Sequence, residues 1–119
     1  MKYSSEHLWV KINEDIAEIG LTNFKSLKMV KMGYVDMPEK DEHIDKGETI
    51  FSIEATKTQG EFESPLSGKI IECNEEVSED PTILNKDAEN TFIIKMKLDN
   101  LDEIDELLSL EDYNKICKK

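Results

Sequence analysis

The segment from residue 49 to residue 68 constrains the fold of this chain more than any other part of the sequence. Two short strand-like runs, Thr49 to Ala55 and Gly60 to Glu63, flank a polar tip that carries a single lysine, Lys57. Residues 64–68, with the sequence SPLSG, follow this pattern and form a strong turn signal. We therefore predict an antiparallel β-hairpin with Lys57 at its tip.

A lysine at a hairpin tip has the properties that a covalent attachment point needs. Such a side chain is solvated, free to move and reachable by another enzyme. A catalytic lysine, by contrast, needs burial to lower its pKa. On spacing alone, an unmodified turn lysine is the simpler interpretation of Lys57, and a domain that serves only as a protein-interaction scaffold remains an alternative.

The remainder of the chain is predicted to be rich in strands joined by short charged connections. Gly47 is predicted to form a tight turn after a charged loop at 39–46, and residues 75–81 are predicted to be an acidic connection. Further strands are predicted at Leu8 to Ile12, Ile16 to Leu21, Gly33 to Met37 and Gly68 to Asn74, and in the alternating run of Phe92, Ile94, Met96 and Leu98.

Helices are predicted near the first hairpin and at the C-terminus. Thr22 is the expected N-cap of a short helix at 23–29, with Phe24 and Leu27 turned inward. Residues 99–119 are expected to form a packed helical extension of two short amphipathic helices. Acids come first and lysines last in this extension, as the helix dipole prefers.

Length and composition indicate one soluble domain. The chain has 119 residues, of which 38% are hydrophobic, so we expect a single domain over 1–119 with one core. The predicted fold class is mainly β (α+β): two hairpin-rich sheets with a short helix in the N-terminal half and helices at the C-terminus.

The charge excludes some classes of partner. The formal net charge is −12, and all fifteen basic residues are lysines. Nucleic-acid binding is therefore disfavoured, and the acidity is expected to steer the protein to basic surfaces on its partners. Lys25, Lys28 and Lys31 form the only basic cluster; a solvated helix face is favoured there over a docking site for an acidic partner.

No catalytic or metal-binding pattern is found in the sequence. His7, His43, Cys73 and Cys117 are too scattered for a zinc site, and no nucleophile lies beside a base. A disulfide between the two cysteines is left open but not expected. We expect a protein that is not an enzyme and is cytoplasmic and monomeric, with no membrane-spanning segment.

Seven segments in a fixed order resemble one known family, the H proteins of the glycine cleavage system, which carry covalently bound lipoate. The resemblance covers nearly the whole chain, and its strength lies in the order and spacing of the segments. They are His7 to Val10, Ile19 to Phe24, Lys46 to Glu48, Ser64 to Gly68, Glu72 to Asn74, Asp80 to Asn85 and Ile94 to Leu98, followed by the acidic, leucine-rich tail.

This resemblance implies a site, a cofactor and a fold. Lys57 falls where the family carries lipoic acid as a lipoyl amide, and Glu54, three residues earlier, is expected to contribute to recognition of the attachment site. The implied fold is a lipoyl-domain-like flattened β-barrel or sandwich. A biotin carrier is the nearest alternative, but methionines flank the biotinyl lysine in that family, whereas Thr56 and Thr58 flank Lys57.

The resemblance also implies a function and partners. The chain would shuttle the aminomethyl group of glycine on its lipoyl-lysine arm between partner enzymes. Those partners would be glycine decarboxylase (P protein), aminomethyltransferase (T protein) and dihydrolipoamide dehydrogenase (L protein), and a lipoate ligase or lipoyltransferase would attach the arm.

Departures from the family pattern favour a second interpretation. The residues around Lys57 differ from the usual family sequence, Val30-Lys31 replaces an expected Gly-Asp pair, and the loop at 88–92 is shortened. In addition, the segments Ser52 to Thr58 and Pro81 to Asn85 resemble the divergent bacterial H-like branch. The alternative function is therefore an H-like lipoyl carrier that acts in lipoate relay or in a redox or stress response.

Overall fold

The computed structural model describes residues 1–117, which form two antiparallel sheets and several short helices. The strands are β1 (Lys2–Tyr3), β2 (Leu8–Asn13), β3 (Ile16–Leu21), β4 (Met32–Asp36), β5 (His43–Ile44), β6 (Thr49–Ala55), β7 (Gln59–Glu63), β8 (Gly68–Cys73) and β9 (Ile94–Leu98). The α-helices are α1 (Asn23–Met29), α2 (Glu75–Glu79), α3 (Ile83–Asp87) and α4 (Leu110–Cys117), and 3-10 helices lie at Ala88–Asn90 and Leu101–Glu106.

The two sheets face each other as an open sandwich. The larger sheet has the strand order β1-β2-β3-β9-β8-β5, and the smaller one has the order β4-β6-β7. Within residues 1–117 the sheets do not join into a closed barrel. The predicted class, mainly β with two hairpin-rich sheets, is confirmed. Of the two predicted forms, a flattened β-barrel or a sandwich, the structure has the sandwich.

The core lies between the two sheets and holds the hairpin of interest in place. On the small sheet, Phe51, Ile53 and Phe62 are buried, and the rings of Phe51 and Phe62 lie with their centroids 5.3 Å apart. The large sheet contributes Ile19 and Ile70, which are also buried in the same cluster. Because the strands alternate, the residues between these positions face solvent.

Helix α1 has the predicted N-cap but buries a different face from the predicted one. The Thr22 hydroxyl accepts a hydrogen bond from the Lys25 N–H at 3.4 Å, as an N-cap residue should. The prediction that Leu27 turns inward was wrong, since its side chain is 78% exposed. Ser26 and Met29 are buried instead, because the Ser26 hydroxyl donates to the Leu84 carbonyl at 2.7 Å and so fixes the face that α1 turns inward.

Several short elements differ from the sequence-based expectations. The acidic connection at 75–81 contains α2, and the charged loop at 39–46 contains β5. Strand β9 begins at Ile94, so that Phe92 precedes it and is only half-buried, whereas Ile93 is buried. Gly47 has φ 92°, which confirms the predicted turn at a position that favours glycine.

The C-terminal segment packs on the sheet through one aromatic residue. Its first predicted helix is a 3-10 helix, on which Leu101 is 51% exposed. In α4, Tyr113 is buried and stacks on Tyr3, with ring centroids 4.8 Å apart. Lys118 and Lys119, the predicted basic end of this helix, lie outside the described residues.

Candidate functional site

Lys57 lies at the tip of the β6–β7 hairpin, as predicted, and its side chain is exposed. The strands pair in register up to Glu54 and Gln59, and the Ala55 N–H donates to the Thr58 carbonyl at 2.9 Å to close the tip. Glu54 is also exposed. The hairpin therefore presents both predicted residues to solvent at the same end of the small sheet.

The backbone of the tip is held against the end of α1, a feature that the sequence did not indicate. The Thr56 N–H donates to the Lys31 carbonyl at 2.9 Å, and the Lys57 N–H donates to the Met29 carbonyl at 3.3 Å. These carbonyls lie at or just after the C-terminal end of α1, where helices leave acceptors unpaired. The Lys57 side chain is thus free while its backbone is fixed.

A second set of hydrogen bonds braces the segment that holds the tip. The Asn85 side chain accepts from the Met32 N–H at 2.9 Å and donates to the Val30 carbonyl. Val30 itself has φ 72° and ψ −103°, a backbone conformation that a β-branched residue rarely adopts. Asn85 therefore supports the Lys57 tip indirectly, through the segment from Met29 to Lys31.

Carboxylates line the β6–β7 hairpin without forming an ion pair with Lys57. Glu54, Glu61 and Glu63 are exposed along the two hairpin strands. Across residues 1–117, no carboxylate lies within ion-pair distance of the Lys57 ammonium group. The ε-amino group is consequently accessible, and the negative charge of the hairpin lies along its strands.

The two histidines and the cysteines take part in structural contacts away from the tip. His7 Nδ1 lies 2.8 Å from the Tyr113 hydroxyl; burial, and after it the positive charges of Lys25 and Lys28, lower the pKa of His7. Both cysteines are free thiols. Within the described range 1–117, no cluster of three potential metal ligands is found and no helix is long and apolar enough to span a membrane.

The fold and the braced hairpin define a class of protein. An open two-sheet sandwich with one exposed lysine at a hairpin tip is the architecture of carrier domains that bear a prosthetic group on a lysine side chain. The protein supplies position and access in this class, and the bound group supplies the chemistry.

Comparisons with known proteins specify the family. The family model described as glycine cleavage H-protein matches residues 1–119. Glycine cleavage system H proteins from two strains of Staphylococcus epidermidis are 36% and 35% identical over 116 residues, which is 97% of this chain and 92% of each relative. The chain belongs to the glycine cleavage H-protein family, a family of lipoyl carriers.

A solved structure supports the same fold. The crystal structure of a glycine cleavage system H protein from Mycobacterium marinum matches with a TM-score of 0.88. The match covers 96% of this chain and 93% of that chain, at 24% sequence identity. At this identity the likeness shows the fold, and the family assignment rests on the sequence matches.

Proposed function

We propose that Lys57 carries a lipoyl group as an amide on Nζ and that the chain moves the aminomethyl group of glycine between partner enzymes. The observation that carries this proposal is the braced hairpin tip, which fixes the Lys57 backbone and leaves its amino group exposed and unpaired by any carboxylate of residues 1–117. These residues fit a long covalent arm, because an attachment point needs access at Nζ and a defined origin at Cα.

The bound lipoyl group would supply a dithiolane whose sulfur atoms undergo reduction and carry the one-carbon unit. The chain's own part is to hold the origin of the arm and to leave the arm exposed to solvent and to partner enzymes. Glu54 places negative charge next to that origin, and Glu61 and Glu63 extend the negative charge along β7. Complementary basic surfaces on the partner enzymes would raise the rate at which they encounter this protein and would fix its orientation in the complex.

The partners proposed for this site are those of the family. Glycine decarboxylase, aminomethyltransferase and dihydrolipoamide dehydrogenase would act in turn at the end of the arm, and a lipoate ligase or lipoyltransferase would attach it. Glu54 would help that attaching enzyme to recognise the site, since it is exposed three residues before Lys57. The cytoplasmic location and the single domain over 1–119 stay predictions, as does the monomeric state.

Reconstitution with glycine decarboxylase tests this function. The lipoylated protein should support decarboxylation of glycine, and a Lys57→Arg variant, which keeps the charge but cannot be lipoylated at this position, should not. A lipoylated protein that fails to support the reaction would contradict the role in glycine cleavage while leaving the carrier role intact.

A second candidate, an H-like carrier in lipoate relay or in a redox or stress response, is favoured by one observation. Val30, which stands where the family pattern has glycine, has a φ of 72° within the Met29 to Lys31 segment that holds the Lys57 tip. The surface next to the arm therefore carries a valine side chain where the family pattern has none. A protein that is lipoylated at Lys57 but not accepted by glycine decarboxylase would support this candidate.

A further inference from the structure

An apolar patch with a basic rim lies beside the Lys57 tip. Leu27 is 78% exposed and Val30 is 46% exposed, and both line a shallow depression of about 500 Å³. Lys31 and Lys86 line the same depression. We call Leu27, Val30, Lys31 and Lys86 the Leu27 patch. Isolated exposed apolar side chains are ordinary, but two that share one depression with a charged rim are typical of interaction sites.

The charge of the patch contrasts with the charge of the chain. The formal net charge is −12, yet Lys31 and Lys86 border the depression, and Lys28 lies nearby on α1 with its ammonium 4.4 Å from the centre of the Phe24 ring. In the part of the chain that the structure describes, none of these three lysines forms an ion pair. The patch is therefore complementary to a surface with an apolar side chain and an acidic rim.

The patch and the attachment site are parts of one connected unit. The Lys31 carbonyl accepts the Thr56 N–H at 2.9 Å, and the Met29 carbonyl accepts the Lys57 N–H at 3.3 Å. The Asn85 side chain also lines the depression, and its hydrogen bonds with the Met32 N–H and the Val30 carbonyl hold the same stretch of backbone. A protein bound to the patch would therefore be held in a fixed position relative to the Lys57 backbone.

We propose that the Leu27 patch is the docking surface for the enzyme that acylates Lys57, and that this enzyme presents an apolar side chain within an acidic rim. The inference rests on the function proposed above. The acylating enzyme must bring an activated lipoyl carbonyl within bonding distance of Nζ, so it contacts the surface at the origin of the arm. Enzymes that act at the far end of the arm do not have this requirement.

The attachment step defines what must be brought together. The lone pair of the neutral Lys57 amine attacks the carbonyl carbon of a lipoyl adenylate, and the new C–N bond forms the amide. The bond between that carbon and the phosphate oxygen breaks, adenosine monophosphate leaves with the electron pair, and the amine proton passes to solvent. A second copy of this chain is a poorer occupant, because two molecules of charge −12 repel each other.

Steady-state lipoylation kinetics test the docking surface. The variants Leu27→Ser and Lys31→Glu/Lys86→Glu are compared with Leu101→Ser and Lys40→Glu, which alter an exposed leucine and an exposed lysine elsewhere. With a lipoate ligase, lipoate and ATP, we expect KM for the carrier to rise about tenfold in each patch variant, with kcat little changed and the control variants unaffected. The rise in the lysine variant should shrink at high salt.

The possible outcomes separate the two proposals. If the unaltered protein is lipoylated and the patch variants keep its KM, the docking surface is wrong and the proposed function stands. If the unaltered protein is not lipoylated at Lys57, both are wrong. A patch variant that changes sedimentation of the chain, and not KM, would assign the patch to self-association and overturn the proposal.

Discussion

Replacement of Asn85 by alanine tests whether the Lys57 tip is held from a distance. The substitution removes a hydrogen bond from the Met32 N–H and one to the Val30 carbonyl. A single hydrogen bond contributes about 1 kcal/mol net, and the Asn85 side chain is itself exposed. We therefore expect the free energy of unfolding to fall by about 1–2 kcal/mol.

The local effect at the tip is the more specific part of this prediction. The segment from Met29 to Lys31 accepts the Thr56 and Lys57 N–H groups, so a loosened segment should expose them. Amide hydrogen exchange at Thr56 and Lys57 should become faster than the global change in stability requires. Native-state exchange measured by NMR, together with urea unfolding, gives both quantities.

Two variants provide controls for this measurement. Asn85→Asp keeps an oxygen that can accept from the Met32 N–H but sets a carboxylate oxygen against the Val30 carbonyl oxygen, so its effect should be at least as large as that of Asn85→Ala. Asn90→Ala removes a surface hydrogen bond to Asp87 and should change stability by less than about 0.5 kcal/mol. Unaltered amide exchange at Thr56 and Lys57 in Asn85→Ala would show that Asn85 does not hold the tip.

Three further predictions concern stability. Val30→Gly should raise the free energy of unfolding by about 1 kcal/mol, because glycine relieves the strain at φ 72°, although the greater backbone entropy of glycine in the unfolded chain offsets part of this effect. Urea unfolding measures this change, and a destabilised variant would contradict the prediction. Tyr113→Phe should lower the free energy of unfolding by about 1–2 kcal/mol, since the hydroxyl lies 2.7 Å from the Thr22 hydroxyl in a buried site; an unchanged urea midpoint would argue against that contact. The hydrogen bond to Asp99 raises the pKa of His43, so the stability that this pair contributes is present below the ordinary pKa of about 6.5 and is lost as pH rises through the folded-state pKa. The difference in Tm between the unaltered protein and His43→Gln should therefore narrow from about pH 6 to about pH 8. A difference in Tm that stays constant over this range would contradict the prediction.

Local signals in the sequence predicted much of the fold. The hairpin around Lys57 and the cap at Thr22 depend on residues close together in the chain, and the structure confirms both. Gly47 was also predicted correctly, because its φ of 92° is a local demand of the turn. Strand β5 was missed because a strand of two residues has no periodicity to detect.

Contacts between distant parts of the chain explain what the sequence could not predict. The face that α1 buries is set by the bond from the Ser26 hydroxyl to the Leu84 carbonyl, 58 positions away, so Leu27 was placed on the wrong side. The brace from Asn85 to Met32 spans 53 positions and likewise leaves no local pattern. Asn85 lies within a segment that resembles the family, but nothing in the sequence indicated what its side chain contacts.

Site-resolved mass spectrometry can show whether Lys57 is the lipoyl attachment point. Protein from cells supplied with lipoate is digested, and the peptide that contains Lys57 is sequenced, with a Lys57→Arg variant as the control. We expect one lipoyl modification, located on Lys57 and lost in the variant. A lipoyl group on another lysine, or none in the presence of a competent ligase, would contradict it.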